Sequence, residues 1–312
     1  MLNFILPFVL LSATAGKIDF EVLNFESTYD QTQQPTRFYI SPEEGPQPLL
    51  VLLHSWSTDM NNYDPDTWVE AARSHGWHVA VPHFRGGNFN PEACASPAAR
   101  QDILDTVTTI VSKYPVDTTR IYLAGSSGGG HMSMVMAGYS PETWSAVSAW
   151  VGISELADWH EENKAVERKY YKDIEACVGG TPGSSPEVDK EILARSPLYH
   201  IANARDIPLD LNAGVHDGHT GSVPIHHTLD AYNEVAKAVG DAGVSQSAIN
   251  ALSQEIVPPE APTADPTYGR RIHLRESAKK ARVTIFEGGH EGLPNAACTW
   301  LAQHVRDGDS TK

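Results

Sequence analysis

A serine between glycines is the first feature of this sequence that could carry out chemistry. Residues 125 to 129 fit the pattern G-x-S-x-G centred on Ser127, directly after the apolar run "RIYLAGS" and before a helical pattern. A strand that turns so sharply into a helix leaves room only for glycine two residues before and two residues after the serine. We predict that Ser127 Oγ is a nucleophile and that the Gly128 N–H faces a developing oxyanion. Ser126 is the competing hydroxyl, but a motif centred on it would begin with Ala124.

A serine hydroxyl needs a base to take its proton, and the base needs an anion to orient it. The segment "NAGVHDGHTGSVP" carries Asp217 after one predicted strand, and "FEGGHEG" carries His290 after the next. The order Ser127, Asp217, His290 is the one expected for acyl transfer at the carboxyl ends of parallel strands. We predict that these three residues are catalytic. Glu155 and Asp158 follow another strand and are the alternative acids.

The loop after the third predicted strand, "VLLHSWSTD", is expected to supply the second oxyanion donor. The Trp56 N–H is the first choice and the Ser55 N–H the second, and the Trp56 ring is either a wall of the acyl pocket or part of the core. We predict that Ser55, Trp159 and Arg85 line the substrate pocket. A packed or solvated side chain is the alternative for Trp159 and Arg85.

Several of the 14 histidines are candidate metal ligands. The stretch "HDGHTGSVPIHH" holds four of them, but a catalytic zinc would need a third ligand in fixed geometry and would leave the serine motif without a purpose. His226 and His227 fall on a helical pattern, which favours packing or surface roles. We therefore expect no metal and no cofactor.

The elements that must position these residues alternate between short β-branched runs and longer helical patterns, which indicates an α/β fold. We predict an eight-stranded, mostly parallel sheet with helices on both faces, because the later strands are apolar nearly throughout. The first two strands alternate more and are expected at an antiparallel edge. The predicted strands are residues 17–25, 36–40, 48–54, 77–84, 120–126, 145–153, 207–215 and 282–289.

Two stretches break the alternation of strand and helix. Residues 154–206 carry aromatic residues among many charges, and we predict that they form a small cap over the site. Residues 257–269, "VPPEAPTADPTYG", read as a proline-rich loop.

The first residues resemble a secretory signal. An apolar stretch from Leu2 to Leu11 precedes Ala13-Thr14-Ala15, so we predict a signal peptide over 1–15 and one catalytic domain over 16–312, secreted or periplasmic and not membrane-bound when mature. A net charge of −16 without a Lys/Arg run argues against nucleic acid as a partner.

Three cysteines allow at most one disulfide bond. Cys94 and Cys177 both fall in loop-like stretches and are the pair to consider after export, although the sequence leaves open whether they are bonded. Cys298 lies on an apolar helical face and is expected to be a buried thiol.

The runs "VDTTRIYLAGSSGGGHM", "GVHDGHTGSVP" and "FEGGHEG" resemble motifs of the α/β-hydrolase superfamily, specifically of single-domain esterases related to the catalytic domain of the prolyl oligopeptidase family. The resemblance spans about residues 36 to 305, with extra residues between Asp217 and Val223 and with Ser55 in place of a glycine. True oligopeptidases of that family carry an N-terminal β-propeller, for which we expect no room here.

The resemblance implies a secreted carboxylic ester hydrolase that removes acetyl or feruloyl groups from plant polysaccharides or cleaves small esters. Two alternatives remain. A serine aminopeptidase or amidase of the prolyl oligopeptidase type would use the same residues, because ester and amide hydrolysis share this machinery. A non-catalytic binding protein of the same fold would have no turnover.

Overall fold

A single nine-stranded sheet organises the computed structural model, which describes residues 18–257 and 264–306. The predicted signal peptide and residues 258–263 of the proline-rich loop lie outside these ranges. The strands are β1 (Glu21–Glu26), β2 (Gln33–Tyr39), β3 (Gln47–Leu53), β4 (His78–Pro82), β5 (Val116–Ser126), β6 (Ala146–Trp150), β7 (Leu209–Gly214), β8 (Ile272–Ala278) and β9 (Ala281–Phe286).

Six inner strands are parallel, in the order β4-β3-β5-β6-β7-β9. The antiparallel pair β1-β2 extends one edge, as predicted, and β8 closes the other edge antiparallel to β9. All five residues of β4 and all six of β7 are buried. Since successive strand residues point to opposite faces, both faces of the inner sheet are covered, which confirms the predicted α/β-hydrolase-like fold.

The prediction of eight strands was wrong by one. The missed strand, β8, has buried and exposed residues and reads "IHLRESA", so its polar side chains hide it from a search for apolar runs. Among the described strands, the edge strand β8 forms backbone hydrogen bonds with β9 alone. The tight turn between the two strands sets their register, in which Ser277 pairs with Arg282.

Nine α-helices connect the strands in the two described ranges. Ser96 caps the second of them by accepting the N–H of Ala99, with Pro97 at the first helical position, as the sequence pattern favours. The helices are α1 (Asp66–Arg73), α2 (Pro97–Lys113), α3 (Gly128–Tyr139), α4 (Leu156–Ala165), α5 (Tyr170–Val178), α6 (Pro186–Arg195), α7 (His226–Ala238), α8 (Gln246–Ser253) and α9 (Pro294–Leu301).

The order of the strands reverses at β3 and β5. From β3 the chain crosses to β4 on one side, and from β4 it returns to β5 on the other side. Open α/β sheets bind ligands where the order reverses, at the carboxyl ends of the strands. The loop after β3 and the turn after β5, which carry Trp56 and Ser127, meet at this position.

The predicted cap segment, residues 154–206, folds into α4, α5 and α6 and shares a small hydrophobic cluster with Trp56. Cys94 and Cys177 are both buried in this cluster, where a hydrogen bond between the thiols raises the pKa of Cys94. Cys298 is buried in the main core, as expected.

Candidate active site

Ser127 lies in a sharp turn between β5 and α3. Its φ of 59° and ψ of −121° belong to a region that residues with a side chain seldom adopt, and such strain is typical of functional positions. A Cβ at Gly125 would lie 2.5 Å from the backbone of Gly129, and a Cβ at Gly129 would overlap the Leu53 carbonyl. The turn therefore requires glycine on both sides of the serine, as the motif predicts.

Three polar side chains form one hydrogen-bonded line at the carboxyl edge of the sheet. The Ser127 hydroxyl donates to His290 Nε2 at 2.8 Å, and His290 Nδ1–H donates to Asp217 Oδ2 at 2.7 Å. The other oxygen of Asp217 accepts the backbone N–H groups of Gly218 and Val223, so the carboxylate is held in place and fully buried. The structure thus brings together the three residues predicted to be catalytic.

The loops that carry Asp217 and His290 approach each other closely. Asp217 follows β7 and His290 follows β9, and these strands are parallel neighbours. A Cβ at Gly221 would overlap the Asp217 carboxylate and would lie 2.5 Å from His290 Cβ. Only glycine at position 221 leaves room for the acid and the imidazole to meet.

Two backbone N–H groups that have no acceptor among the described residues lie beside Ser127. The Gly128 N–H is the first of α3 and has no partner within the helix. The Trp56 N–H donates to no acceptor in the part of the chain that the structure describes. The two residues are in direct backbone contact, since a Cβ on Gly128 would overlap Trp56 N. This pair is the arrangement that an oxyanion hole requires.

The Trp56 ring belongs to the core and not to a pocket wall. Only 2% of the residue is exposed, and its ring packs edge-on against Trp159 at 4.7 Å and against His131 at 5.8 Å between ring centroids. Burial lowers the pKa of His131 to about 4, so this ring is neutral and packs as a core residue. The packing of the Trp56 ring against Trp159 and His131 therefore fixes the loop after β3 in place.

The other residues predicted to line the pocket have different positions. Ser55 is half-buried next to the turn, where its hydroxyl donates to the Ser126 carbonyl at 3.4 Å. Trp159 is 1% exposed, and its Nε1–H donates to the Ser222 carbonyl at 2.8 Å. Trp159 therefore supports the pocket from beneath and does not face it.

Arg85 does not reach this site. Its guanidinium pairs with the buried Asp102 at 2.5 Å and with Asp30 at 2.7 Å, and it lines a separate cavity. The sequence did not predict these partners, because they belong to other elements that only the packing of the fold brings to Arg85. The arginine holds the N-terminal segment against α2.

An open pocket of about 530 Å³ begins at His290. The cap segment contributes one wall and the loop that follows Asp217 contributes another. Tyr170 stacks on Trp159 with ring centroids 5.0 Å apart. The lining residues are Arg168, Lys169, Tyr170, Thr220, Gly221, Ser222 and His290.

The alternative nucleophile and the alternative acids are not part of the hydrogen-bonded line that links Ser127, His290 and Asp217. Ser126 Oγ is buried without a hydrogen-bond partner among the described residues, against the position of Gly292. Glu155 caps α4 by accepting the N–H of Asp158, and neither residue bonds to His290 in the described ranges. Of the residues that could act as acid, Asp217 alone has the hydrogen bond to His290 among those described.

Glu162, His226 and His227 are residues of the types that bind zinc, with donor atoms within 4.8 Å of one another. Glu162 accepts from His226 Nε2 at 2.6 Å and from His227 Nε2 at 3.2 Å, while Asp230 pairs with the other nitrogen of His226 at 3.0 Å. The Ser154 N–H donates to His227 Nδ1, so Nε2 is the nitrogen that carries the proton facing Glu162. The geometry is that of a hydrogen-bonded ion cluster.

The charges of this cluster are strongly coupled. Burial of the His226 ring opposes protonation, but the hydrogen bonds with Asp230 and Glu162 outweigh it and raise the pKa of His226 to about 10. Burial also opposes ionisation of Glu162, and the two imidazoles overcome it and lower its pKa to about 2. The cluster joins α4 of the cap segment to α7.

Sequence reasoning missed Arg168 and Gly221. Gly221 is the second glycine of the "DGHTG" run after the acid, a signal for close backbone approach that was available in the sequence. The sequence did not indicate a role for Arg168, because an arginine in a stretch of many charged residues is expected to be a solvated side chain.

Comparison with protein families identifies the family of this chain. The family model described as the prolyl oligopeptidase family matches residues 66–246, more than half of the chain. This chain belongs to the prolyl oligopeptidase family. The matched part includes Ser127 and Asp217 and ends before His290, so the placement of His290 rests on the hydrogen bonds described above.

Two curated relatives are similar to part of the chain. Feruloyl esterase B of Talaromyces stipitatus is 27% identical over 178 residues, which cover 56% of this chain and 37% of that protein. Probable acetylxylan esterase A of Neosartorya fischeri is 29% identical over 189 residues, which cover 58% of this chain and 49% of that protein. The chain thus matches half or less of the length of these relatives.

A solved structure supports the same fold. The acylaminoacyl peptidase of Pyrococcus horikoshii superposes with a TM-score of 0.62 at 15% identity, over 94% of this chain and 43% of that one. At this identity the similarity concerns the fold alone. Within residues 18–257 and 264–306, no helix has the length and apolar character to cross a bilayer.

Proposed function

We propose that this protein is a serine carboxylic ester hydrolase that works through an acyl-enzyme on Ser127. The observation that carries the proposal is the line from Ser127 Oγ through His290 to Asp217, with hydrogen bonds of 2.8 and 2.7 Å. A serine, a histidine and a buried carboxylate in this order have the roles of nucleophile, general base and orienting anion. The unpaired N–H groups of Gly128 and Trp56 would stabilise the tetrahedral oxyanion.

The reaction proceeds in two half-reactions. His290 Nε2 takes the proton of Ser127 as Oγ bonds to the ester carbonyl carbon, and the same nitrogen then gives that proton to the alcohol as the C–O bond breaks. Water next loses a proton to His290 and attacks the acyl carbon, which releases the carboxylic acid and restores the Ser127 hydroxyl. No cofactor takes part in either step.

Acetyl and feruloyl esters of plant polysaccharides, together with small esters, are the proposed substrates. The names of the relatives, feruloyl esterase B and probable acetylxylan esterase A, support this class. An open pocket on the His290 side also suits a bulky alcohol, because the leaving group must lie beside the general acid.

Peptide bond hydrolysis is the second candidate function. The similarity in fold to acylaminoacyl peptidase favours it, and the same residues would serve both reactions. A hydrolase-fold binding protein without turnover is the third reading.

The test is a panel of p-nitrophenyl acetate, methyl ferulate, acetylated xylan and a peptide anilide, assayed with wild type, Ser127→Ala and Ser126→Ala. We expect ester turnover that falls by about 10⁶-fold in Ser127→Ala. Ser126→Ala removes the adjacent hydroxyl, which has no hydrogen-bond partner in the described part of the chain, and is expected to retain activity. Turnover of the anilide above the esters would favour the peptidase, and no labelling of wild type by a serine-directed phosphonate would favour the binding protein.

Export is a further proposal, supported by the apolar stretch and the small residues before Gly16. Expression of the full sequence in a secreting host, followed by N-terminal sequencing of the medium fraction, tests it. A mature chain that begins at Gly16 is expected, and an unprocessed chain retained in the cells would contradict it.

A further inference from the structure

We propose that Arg168 recognises a carboxylate on the alcohol part of the ester, so that the preferred substrates are acyl esters of uronic acids or other hydroxy acids. This inference rests on the proposed function, because it assigns the substrate class of that same site.

The backbone of Arg168 is fixed at the end of α4. The Glu167 N–H donates to the Lys164 carbonyl, the Arg168 N–H donates to the Asn163 carbonyl at 2.9 Å, and Glu167 has a φ of 55°. This is the hydrogen-bond pattern of a Schellman motif, which ends a helix in one defined conformation. Arg168 therefore leaves the helix in a fixed direction and does not belong to a long mobile loop.

The side chain of Arg168 is anchored next to the reacting groups. Its Nη1–H donates to the Gly221 carbonyl at 2.6 Å. Gly221 packs so closely on Asp217 and His290 that a Cβ at this position would overlap the carboxylate. Gly221 therefore touches both groups: its carbonyl binds the guanidinium, and its Cα packs against His290, whose imidazole donates the proton to the leaving alcohol.

The positive charge of Arg168 has no counter-ion among the described residues. Its guanidinium forms one hydrogen bond there, to a neutral carbonyl, although it has five N–H donors. The adjacent cation differs, since Lys169 Nζ pairs with Asp173 Oδ2 at 2.8 Å. In a protein with a net charge of −16, an anionic substrate meets general repulsion, so a local unpaired guanidinium is needed to attract it.

The pocket determines which part of the ester meets this charge. Arg168 and Tyr170 line the space that opens from His290. His290 must face the leaving oxygen to protonate it, so this space receives the alcohol and not the acyl group. Since a guanidinium matches the planar geometry of a carboxylate, an acidic alcohol is the ligand class that the site favours.

The experiment compares two phenyl esters of the same shape, 4-acetoxybenzoate and 4-acetoxybenzamide, whose leaving groups differ in charge. For wild type and Arg168→Gln, the ratio of kcat/KM for the charged ester to that for the neutral ester is measured. We expect Arg168→Gln to lower this ratio by about ten- to hundredfold, because a hydrogen-bonded charge pair contributes that much. Arg168→Lys is expected to lie between the two, as a point charge without the planar fork.

Lys172→Gln is the matched control. It removes the same charge from an exposed position on α5 outside the pocket and is expected to leave the ratio unchanged. A parallel loss for both esters in Arg168→Gln would show that the arginine only holds the Gly221 loop, and would overturn the inference. An equal fall of the ratio in Lys172→Gln would show only a general effect of net charge and would overturn it as well.

A binding measurement separates this inference from the proposed function. Calorimetric titration of Ser127→Ala with 4-hydroxybenzoate and 4-hydroxybenzamide needs no turnover. Tighter binding of the anion that is lost in Ser127→Ala/Arg168→Gln supports the inference even if the esters are not hydrolysed. Equal binding of both compounds contradicts it even if Ser127 is the nucleophile.

Discussion

The carboxyl edge of the sheet and the cap segment face each other across the same pocket, and they are built in different ways. At the edge, Ser127, Asp217 and His290 each follow a buried parallel strand, and the sheet fixes their separation. The cap segment contributes Arg168 from the link between α4 and α5 and Tyr170 from the start of α5. Polar contacts and a small hydrophobic cluster hold this segment to the rest of the molecule.

This difference teaches where precision is needed. Proton transfer requires hydrogen-bond geometry to within a few tenths of an ångström, and a sheet with close-packed layers supplies it. Recognition of a leaving group tolerates more variation, so it can depend on helices that pack against the sheet less extensively. Changes at the edge should alter kcat, whereas changes in the cap segment should alter selectivity or stability.

The largest contrast is expected between two Asp→Asn substitutions. Asp217→Asn presents an amide N–H to His290 Nδ1, which forces the wrong tautomer and leaves Nε2 unable to take the Ser127 proton. We expect kcat to fall by about 10⁴-fold. Asp173→Asn makes the same chemical change in the cap segment, at the partner of Lys169, and is expected to change kcat by less than about twofold, as surface pairs contribute little.

An equal loss of kcat in Asp217→Asn and Asp173→Asn would show that the carboxyl edge and the cap segment do not differ in their importance for the chemical step. Steady-state kinetics with p-nitrophenyl acetate measures kcat for both, and far-ultraviolet circular dichroism shows whether each variant is folded.

A smaller contrast is expected between two Gly→Ala substitutions. The Cβ of Gly128→Ala would collide with Trp56 N and displace one of the two N–H donors, so kcat is expected to fall by about 10²- to 10³-fold. Gly179 ends α5 with a φ of 86° and open space around it. Gly179→Ala should cost about 1 kcal/mol of stability and leave kcat unchanged.

Thermal unfolding and kcat are measured together for this pair. If Gly128→Ala lost stability but kept its rate, the Trp56 and Gly128 N–H groups would not act on the reaction. If Gly179→Ala lowered kcat, the cap segment would contribute to the chemical step.

The smallest effect is expected from the ion cluster that joins α4 to α7. His226 has a pKa raised to about 10 in the folded protein, above the value of 6.5 for the unfolded chain. Its contribution to stability is therefore complete below pH 6.5 and is lost as the pH rises towards 10. Glu162, with a pKa lowered to about 2, contributes above pH 4.5 and loses that contribution as the pH falls.

Urea unfolding of wild type and His226→Gln at several pH values measures this contribution. We expect a difference of about 1 kcal/mol between pH 5 and 6.5, since the pair is partly exposed, and a difference that disappears near pH 10. A double-mutant cycle with Glu162→Gln at pH 5.5 isolates the pair. A difference that stays constant up to pH 10 would indicate loss of packing and not of charge.

The sequence predicted the inner strands and the sharp turn at Ser127 because both follow from local chemistry. A parallel strand covered on both faces must be apolar, and the turn at Ser127 admits only glycine at Gly125 and Gly129, so each leaves a mark in a few adjacent residues. The edge strand β8 left no such mark, because only three of its seven residues are buried.

The sequence by itself thus determined the fold class, the family motifs and the order in which Ser127, Asp217 and His290 occur. Only the tertiary structure decided which side chains share the pocket. Trp159 became support and Arg85 paired with Asp102, while Arg168 came to lie beside His290. The physical reason is that a contact between residues on different elements depends on how the layers pack, and no local pattern of residue types encodes that distance.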